Sequence, residues 1–245
     1  MKTLLLVIST FFVLPLCAQF SDNFSDGDFT SSPTWSGDNA LFAITSGKLQ
    51  SQSAGAATYY LSTPSTLAAS TEWEFYFNFK FGTSGANFID IYLISDVADL
   101  NLVTDGYFIR LGKTTDEISL YKIVGGVETI LIDGTDGLIN SSSSNPFKIK
   151  ISRDASDNWV VLYDDLGANP TNGYVSGGAA FDNSINTSAF FGIKITQSSA
   201  ASAVNGHFFD DFKVSILIPD VEPPALVSAT VLSNTEIDVL FSEAL

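Results

Sequence analysis

The chain has 245 residues, 45% of them hydrophobic and 16% charged, with 20 Phe and a formal charge of −16. That is ample material for an apolar core and excludes a disordered chain, which needs low hydrophobicity and high net charge. An acidic surface without Lys/Arg clusters argues against nucleic acid as a partner, disfavours anionic membrane surfaces, and leaves divalent cations, neutral glycans and basic partners compatible.

Residues 1–19 read as a signal peptide, with Lys2 at its positive end, an apolar stretch from Leu4 to Leu16 and a small-residue exit at Cys17-Ala18-Gln19. The apolar part is short for a bilayer span, so no membrane insertion is expected after cleavage. Cleavage after Gln19 leaves no cysteine, which excludes disulfides and thiolate metal sites. Cys17 raises lipidation as an alternative, against which Leu16 stands where a lipoprotein signal wants a small residue.

Beyond the leader the pattern has period two. Trp73, Phe75, Phe77, Phe79 and Phe81 alternate with Glu74, Tyr76, Asn78 and Lys80. Successive side chains of a strand point to opposite faces, so one face here is buried and aromatic and the other wetter. The alternation recurs in Ile89-Ile91-Leu93, Tyr107-Ile109-Leu111, Phe147-Ile149-Ile151, Trp159-Val161-Tyr163 and Phe191-Ile193-Ile195. Turn chemistry separates the runs at Gly82 to Gly85, Gly125-Gly126, Asp133-Gly134, Asn145-Pro146, Asp157-Asn158 and Gly177-Gly178. The best helical stretch, 95–104, is about two turns long. The pattern predicts an all-β, antiparallel two-sheet sandwich over 20–217.

A boundary follows at 218–224, where Pro219, Pro223 and Pro224 cannot continue a central strand. Two more strands are predicted at 225–231 and 237–241. They are too few for an independent domain, so the chain reads either as a fragment of a longer protein, the favoured reading, or as one whose tail packs on the sandwich.

Phe24-Ser25-Asp26-Gly27-Asp28, Pro33-Thr34-Trp35 and Gly47-Lys48-Leu49-Gln50 resemble the start of concanavalin A-like (laminin G-like) jelly-roll modules of secreted Bacteroidetes-type surface proteins. The resemblance continues through Arg110-Leu111-Gly112, Ser119-Leu120-Tyr121, Arg153-Asp154 with Trp159, and Phe208-Phe209-Asp210-Asp211-Phe212. It implies a jelly roll at the outer surface of a Gram-negative bacterium, or secreted from it. The tail, with Asp220, Pro223-Pro224 and Phe241-Ser242-Glu243, resembles the opening of a bacterial Ig-like repeat.

Glucanases of the same architecture carry a Glu-x-Asp-x-x-Glu strand that this chain lacks. Glu72 and Glu74, two apart on one strand face, read as solvating side chains rather than a hydrolytic pair. His207, the single histidine, has no Gly-x-Ser-x-Gly elbow to serve and reads as a strand-end residue. No enzyme is expected. Asp22, Asp26 and Asp28 near the first strand and Asp210 and Asp211 in the last offer hard oxygens for a structural Ca²⁺, with Asp22, Asp26, Asp210 and Asp211 as the chosen ligands. Phe24 and Pro33 exclude an intact calcium-binding hand. Trp35, Trp73 and Trp159 fall in register with buried neighbours, so a glycan platform is expected from the out-of-register Tyr76, Tyr92 and Tyr174. The expected function is a non-catalytic surface recognition or adhesion module for an extracellular glycan or surface protein. The alternatives are a structural spacer, or an accessory domain of a secreted hydrolase.

Overall fold

The computed structural model describes residues 20–218 and 223–242. The leader with Cys17, residues 219–222 of the proline-rich boundary, and Glu243 lie outside them.

The first strands are β1 (Phe20–Asp22), β2 (Ser36–Gly37), β3 (Phe42–Thr45), β4 (Lys48–Ser51), β5 (Ala57–Pro64) and β6 (Thr71–Phe79). The middle of the chain forms β7 (Phe88–Ser95), β8 (Gly106–Gly112), β9 (Glu117–Val124), β10 (Val127–Ile132), β11 (Asn145–Arg153) and β12 (Asn158–Asp165). There follow β13 (Val175–Phe181), β14 (Phe190–Gln197), β15 (His207–Ile216), β16 (Leu226–Val231) and β17 (Ile237–Phe241). One sheet runs β13-β12-β11-β6-β15-β4-β3, with β1 also paired to β15; the other runs β10-β9-β8-β7-β14-β5-β2. All pairings are antiparallel. The two sheets face each other as a jelly-roll sandwich of the concanavalin A-like kind. Strands β16 and β17 form a hairpin of their own.

Alternation carries the rings of β6 inward. Trp73, Phe75, Phe77 and Phe79 are at most 2% exposed, and Phe81 just beyond the strand is buried with them. The three tryptophans are fully buried, with Trp73 stacked on Trp159 at 5.6 Å between ring centres. Burying each such ring contributes about 1.5–3 kcal/mol, so this layer dominates the stability of the fold.

Several local expectations change. Residues 95–104 are not helical: the Asp99 carboxylate accepts from the Asn101 amide at 3.0 Å, and the Asp99 carbonyl accepts from the Leu102 amide. Short polar side chains that bond nearby amides favour such turns over helix. Among the described residues the sole helical piece is a 3-10 turn at Asn39–Leu41. Gly125-Gly126 does close the β9–β10 hairpin, both residues at positive φ. Gly177-Gly178 instead lies inside β13, at a bulge facing Val161 and Leu162. A Cβ at Gly178 would sit 2.5 Å from Ile132 Cγ2, so close approach rather than a turn requires the glycine. Asn145-Pro146 opens β11, a position where proline leaves a ladder intact, while Asn145 Nδ2 donates to the Phe79 and Phe81 carbonyls.

Candidate functional site

With the rings of β6 turned inward, its even-numbered residues Glu72, Glu74 and Tyr76 stand on the outer face of the first sheet. Register places Lys148 and Lys150 of β11 opposite Tyr76 and Glu74, and Asp210 and Lys213 of β15 opposite the same two from the other side. Lys213 Nζ lies 3.0 Å from Glu74, and Lys150 Nζ 3.4 Å from Glu72. Burial pushes the Glu72 carboxyl up, and its hydrogen bond with Glu74 adds to this. Burial acts on Glu74 in the same sense, but Lys213, Glu72 and Lys150 outweigh it and hold that carboxyl below its ordinary value. The two glutamates are thus bound into a lattice of ammonium groups, not left solvated as the sequence suggested.

Two loops rise over this face. One follows β1. There Asp22 Oδ1 accepts from the Phe24 amide and Oδ2 from Trp35 Nε1, both at 2.9 Å. Phe24 is fully buried against Trp35 and Phe212, which anchors the loop to the core. Asp28 braces it further; hydrogen bonds from the Ser31 and Thr30 hydroxyls hold its carboxyl at about 2. The other loop joins β12 to β13 and is pinned where Thr171 Oγ1 donates to Asp164 at 2.9 Å. It carries Tyr174, whose hydroxyl is pushed up to about 12, first by burial and then by Glu74, Asp164 and Glu72.

Between the loops lies a cleft of about 520 Å³, within the range of ligand pockets, about 300–1,000 Å³. Tyr76 and Tyr174 line it, as do Asp22, Asp26 and Asp211, so five of the seven residues singled out from sequence share one concavity. Glu74, Lys148 and Lys213 add charged groups to its lining that the sequence alone did not place in a binding site. Their signal was legible: each is a charged residue at an outward position of a strand whose inward neighbours are aromatic or aliphatic. Each tyrosine carries an ammonium group over its ring, Lys48 at 4.7 Å for Tyr76 and Lys150 at 5.5 Å for Tyr174.

Tyr92 does not belong to this site. It sits on β7 of the other sheet and is 1% exposed, with Leu100 and Val103 of the 96–105 loop packed over it. Its hydroxyl accepts from Lys194 Nζ at 2.8 Å. Its outward direction was read correctly, but the face it points to is covered.

Of the four aspartates expected as calcium ligands, Asp22, Asp26 and Asp211 line the cleft and Asp210 does not. Each oxygen of Asp22 accepts one hydrogen bond, from the Phe24 amide and from Trp35 Nε1. Asp210 bonds the ammonium of Lys48 with one oxygen and the Asp211 amide, at 2.9 Å, with the other. Among the described residues no three acidic, His or Cys side chains gather closely enough to hold a cation.

No protein-family model matches the chain, and no curated protein sequence matches it. Solved structures do. The carbohydrate recognition domain of Emp46p, in a potassium-bound form, superposes with a TM-score of 0.57 at 12% identity, over 82% of this chain and 98% of that one. The exoplasmic/lumenal domain of VIP36, bound to Ca²⁺ and Man3GlcNAc, gives 0.51 at 16% identity, over 80% and 89%. A variant of the GH43 protein BlXynB from Bacillus licheniformis gives 0.54 at 11% identity, over 80% of this chain but 39% of that one. At such identities the likeness establishes the fold, and fold alone does not assign function.

Proposed function

We propose that this chain is a non-catalytic, secreted or surface-exposed recognition module that binds a neutral glycan in the cleft between Tyr76 and Tyr174. The observation that carries the reading is the placement of two tyrosines and several hydrogen-bonding side chains around one concavity on the outer face of a rigid sheet. A sugar has an apolar face that packs on an aromatic ring and hydroxyls that need polar partners, which is the combination this cleft offers. Emp46p and VIP36, which share the fold, are described as a carbohydrate recognition domain and as a Man3GlcNAc complex. The engagement of Glu72 and Glu74 by Lys150 and Lys213 supports binding without hydrolysis. A role as the accessory domain of a larger hydrolase is a second reading, favoured by the BlXynB match, which spans 39% of that chain. The leader supports export to the outer surface of a Gram-negative cell, and the tail hairpin is read as the opening of an Ig-like domain.

Isothermal titration against neutral manno-, gluco-, galacto- and xylo-oligosaccharides tests the proposal. At least one should bind, and Tyr76→Ala should weaken that binding about thirtyfold, equal to about 2 kcal/mol. No heat with any member overturns it.

A further inference from the structure

The last sandwich strand, β15, breaks its own alternation near its middle. In β15 the inward rings Phe209 and Phe212 are three residues apart instead of two. The register with β6 shows why. Asp210 pairs with Tyr76 and Lys213 with Glu74, so Asp211 and Phe212 together face Phe75 alone. This is a β-bulge, a device that re-aims a side chain. It falls where β15 changes partners: β4 pairs with Phe208 and Phe209, and β1 with Phe212 to Val214.

The bulge residue itself is Asp211, at φ +51. Glycine adopts that left-handed conformation freely, and Asp and Asn are the side chains that visit it most readily. Restoring Phe212 to the core requires an extra residue here but not a carboxylate. The Asp211 side chain lines the cleft, and among the described residues nothing donates a hydrogen bond to its carboxylate or forms an ion pair with it. Asp26 lines the same cleft, one oxygen accepting only from the Asp28 amide at 3.1 Å. Lys148 lines it as well and is exposed, with no ion pair among the described residues. The cleft thus holds an exposed, unpartnered acceptor, a second acceptor and a donor, with two tyrosine rings in the same lining. Its lining carries the carboxylates of Asp22, Asp26, Glu74 and Asp211 against the ammonium groups of Lys148 and Lys213, which disfavours an anionic sugar.

We infer that Asp211 is the specificity-determining residue of the cleft. The bulge presents its carboxylate to the hydroxyls of an uncharged sugar with a free vicinal diol, and uronic acids and sulfated sugars are rejected. This rests on the glycan-binding reading above.

The test compares wild type, Asp211→Gly, Asp211→Asn and Tyr76→Ala by titration against the neutral panel and an oligogalacturonate, with thermal melting of each. Asp211→Gly should melt at the same temperature as wild type or higher, yet bind the neutral oligosaccharide at least tenfold more weakly. Asp211→Asn, which tolerates the same backbone conformation and keeps one acceptor oxygen, should fall between them. Wild type should not bind the oligogalacturonate. If wild type binds a neutral sugar, Tyr76→Ala loses it and Asp211→Gly keeps it, the inference fails and the glycan reading stands. If wild type binds no sugar, both fail. A clear drop in the Asp211→Gly melting temperature would make Asp211 a structural residue and overturn the inference by itself.

Discussion

Mild acid should weaken this protein in good part through His207. The imidazole is fully buried at the start of β15, edge-on to Phe81 at 4.7 Å between ring centres and to Phe79 at 5.8 Å. Its Nδ1 lies 2.9 Å from Ser51 Oγ, while Nε2 has no partner. Burial alone drives its pKa from the ordinary 6.5 to about 3. The folded state therefore holds the neutral ring, and the unfolded state binds a proton first as pH falls. Stability from this group is intact above pH 6.5 and is lost as pH descends from 6.5 toward 3. The slope approaches about 1.4 kcal/mol per pH unit, or about 2 kcal/mol lost at pH 5. Urea melts of wild type and His207→Gln at pH 7.5 and pH 5.0 isolate the effect, because the carboxylates titrate in both proteins. Wild type should lose about 2 kcal/mol more than the variant between the two pH values. Equal losses would refute the assignment of a buried neutral imidazole.

Phe77→Ala, which removes a ring stacked on Phe79 and Phe147, should cost about 3–5 kcal/mol in chemical denaturation, whereas Lys80→Ala should cost little. Comparable costs would mean that the strand register is wrong. Tyr92→Phe should leave glycan affinity unchanged, since Tyr92 lies under the 96–105 loop of the other sheet, and an affinity loss would contradict that placement. Arg110→Met should destabilise by about 3–5 kcal/mol by stranding Asp90, whose oxygens Arg110 holds at 2.7 and 3.0 Å. A melting temperature within a degree or so of wild type would refute that role.

Much of the sandwich was legible because aromatic residues at period two leave few alternatives: the run 73–81 has one register that buries its rings. Tyr76 and Tyr174 were found by the same logic, as aromatic residues out of step with the core. What local pattern cannot carry is where a distant segment lands. Tyr92 points outward as read, but Leu100 and Val103 arrive over it from the next loop. That Asp22 accepts from the Trp35 indole, thirteen residues on, could not be read from its local sequence. Lys148 and Lys213 come to flank β6 from opposite sides only when it pairs with both β11 and β15. The bulge was not legible, because Phe208, Phe212 and Val214 fit a regular period-two face equally well; only the pairing of β15 with β6 shows that Phe209 and Phe212 both turn inward.

A nitrogen–proton correlation spectrum followed through titration with the tightest-binding neutral oligosaccharide tests the central claim most directly. Binding between the two tyrosines predicts the largest shifts at the amides of Glu74 to Tyr76, Lys148, Tyr174 and Asp211 to Lys213. Shifts centred on β7, β8 and β9 of the opposite sheet would contradict it.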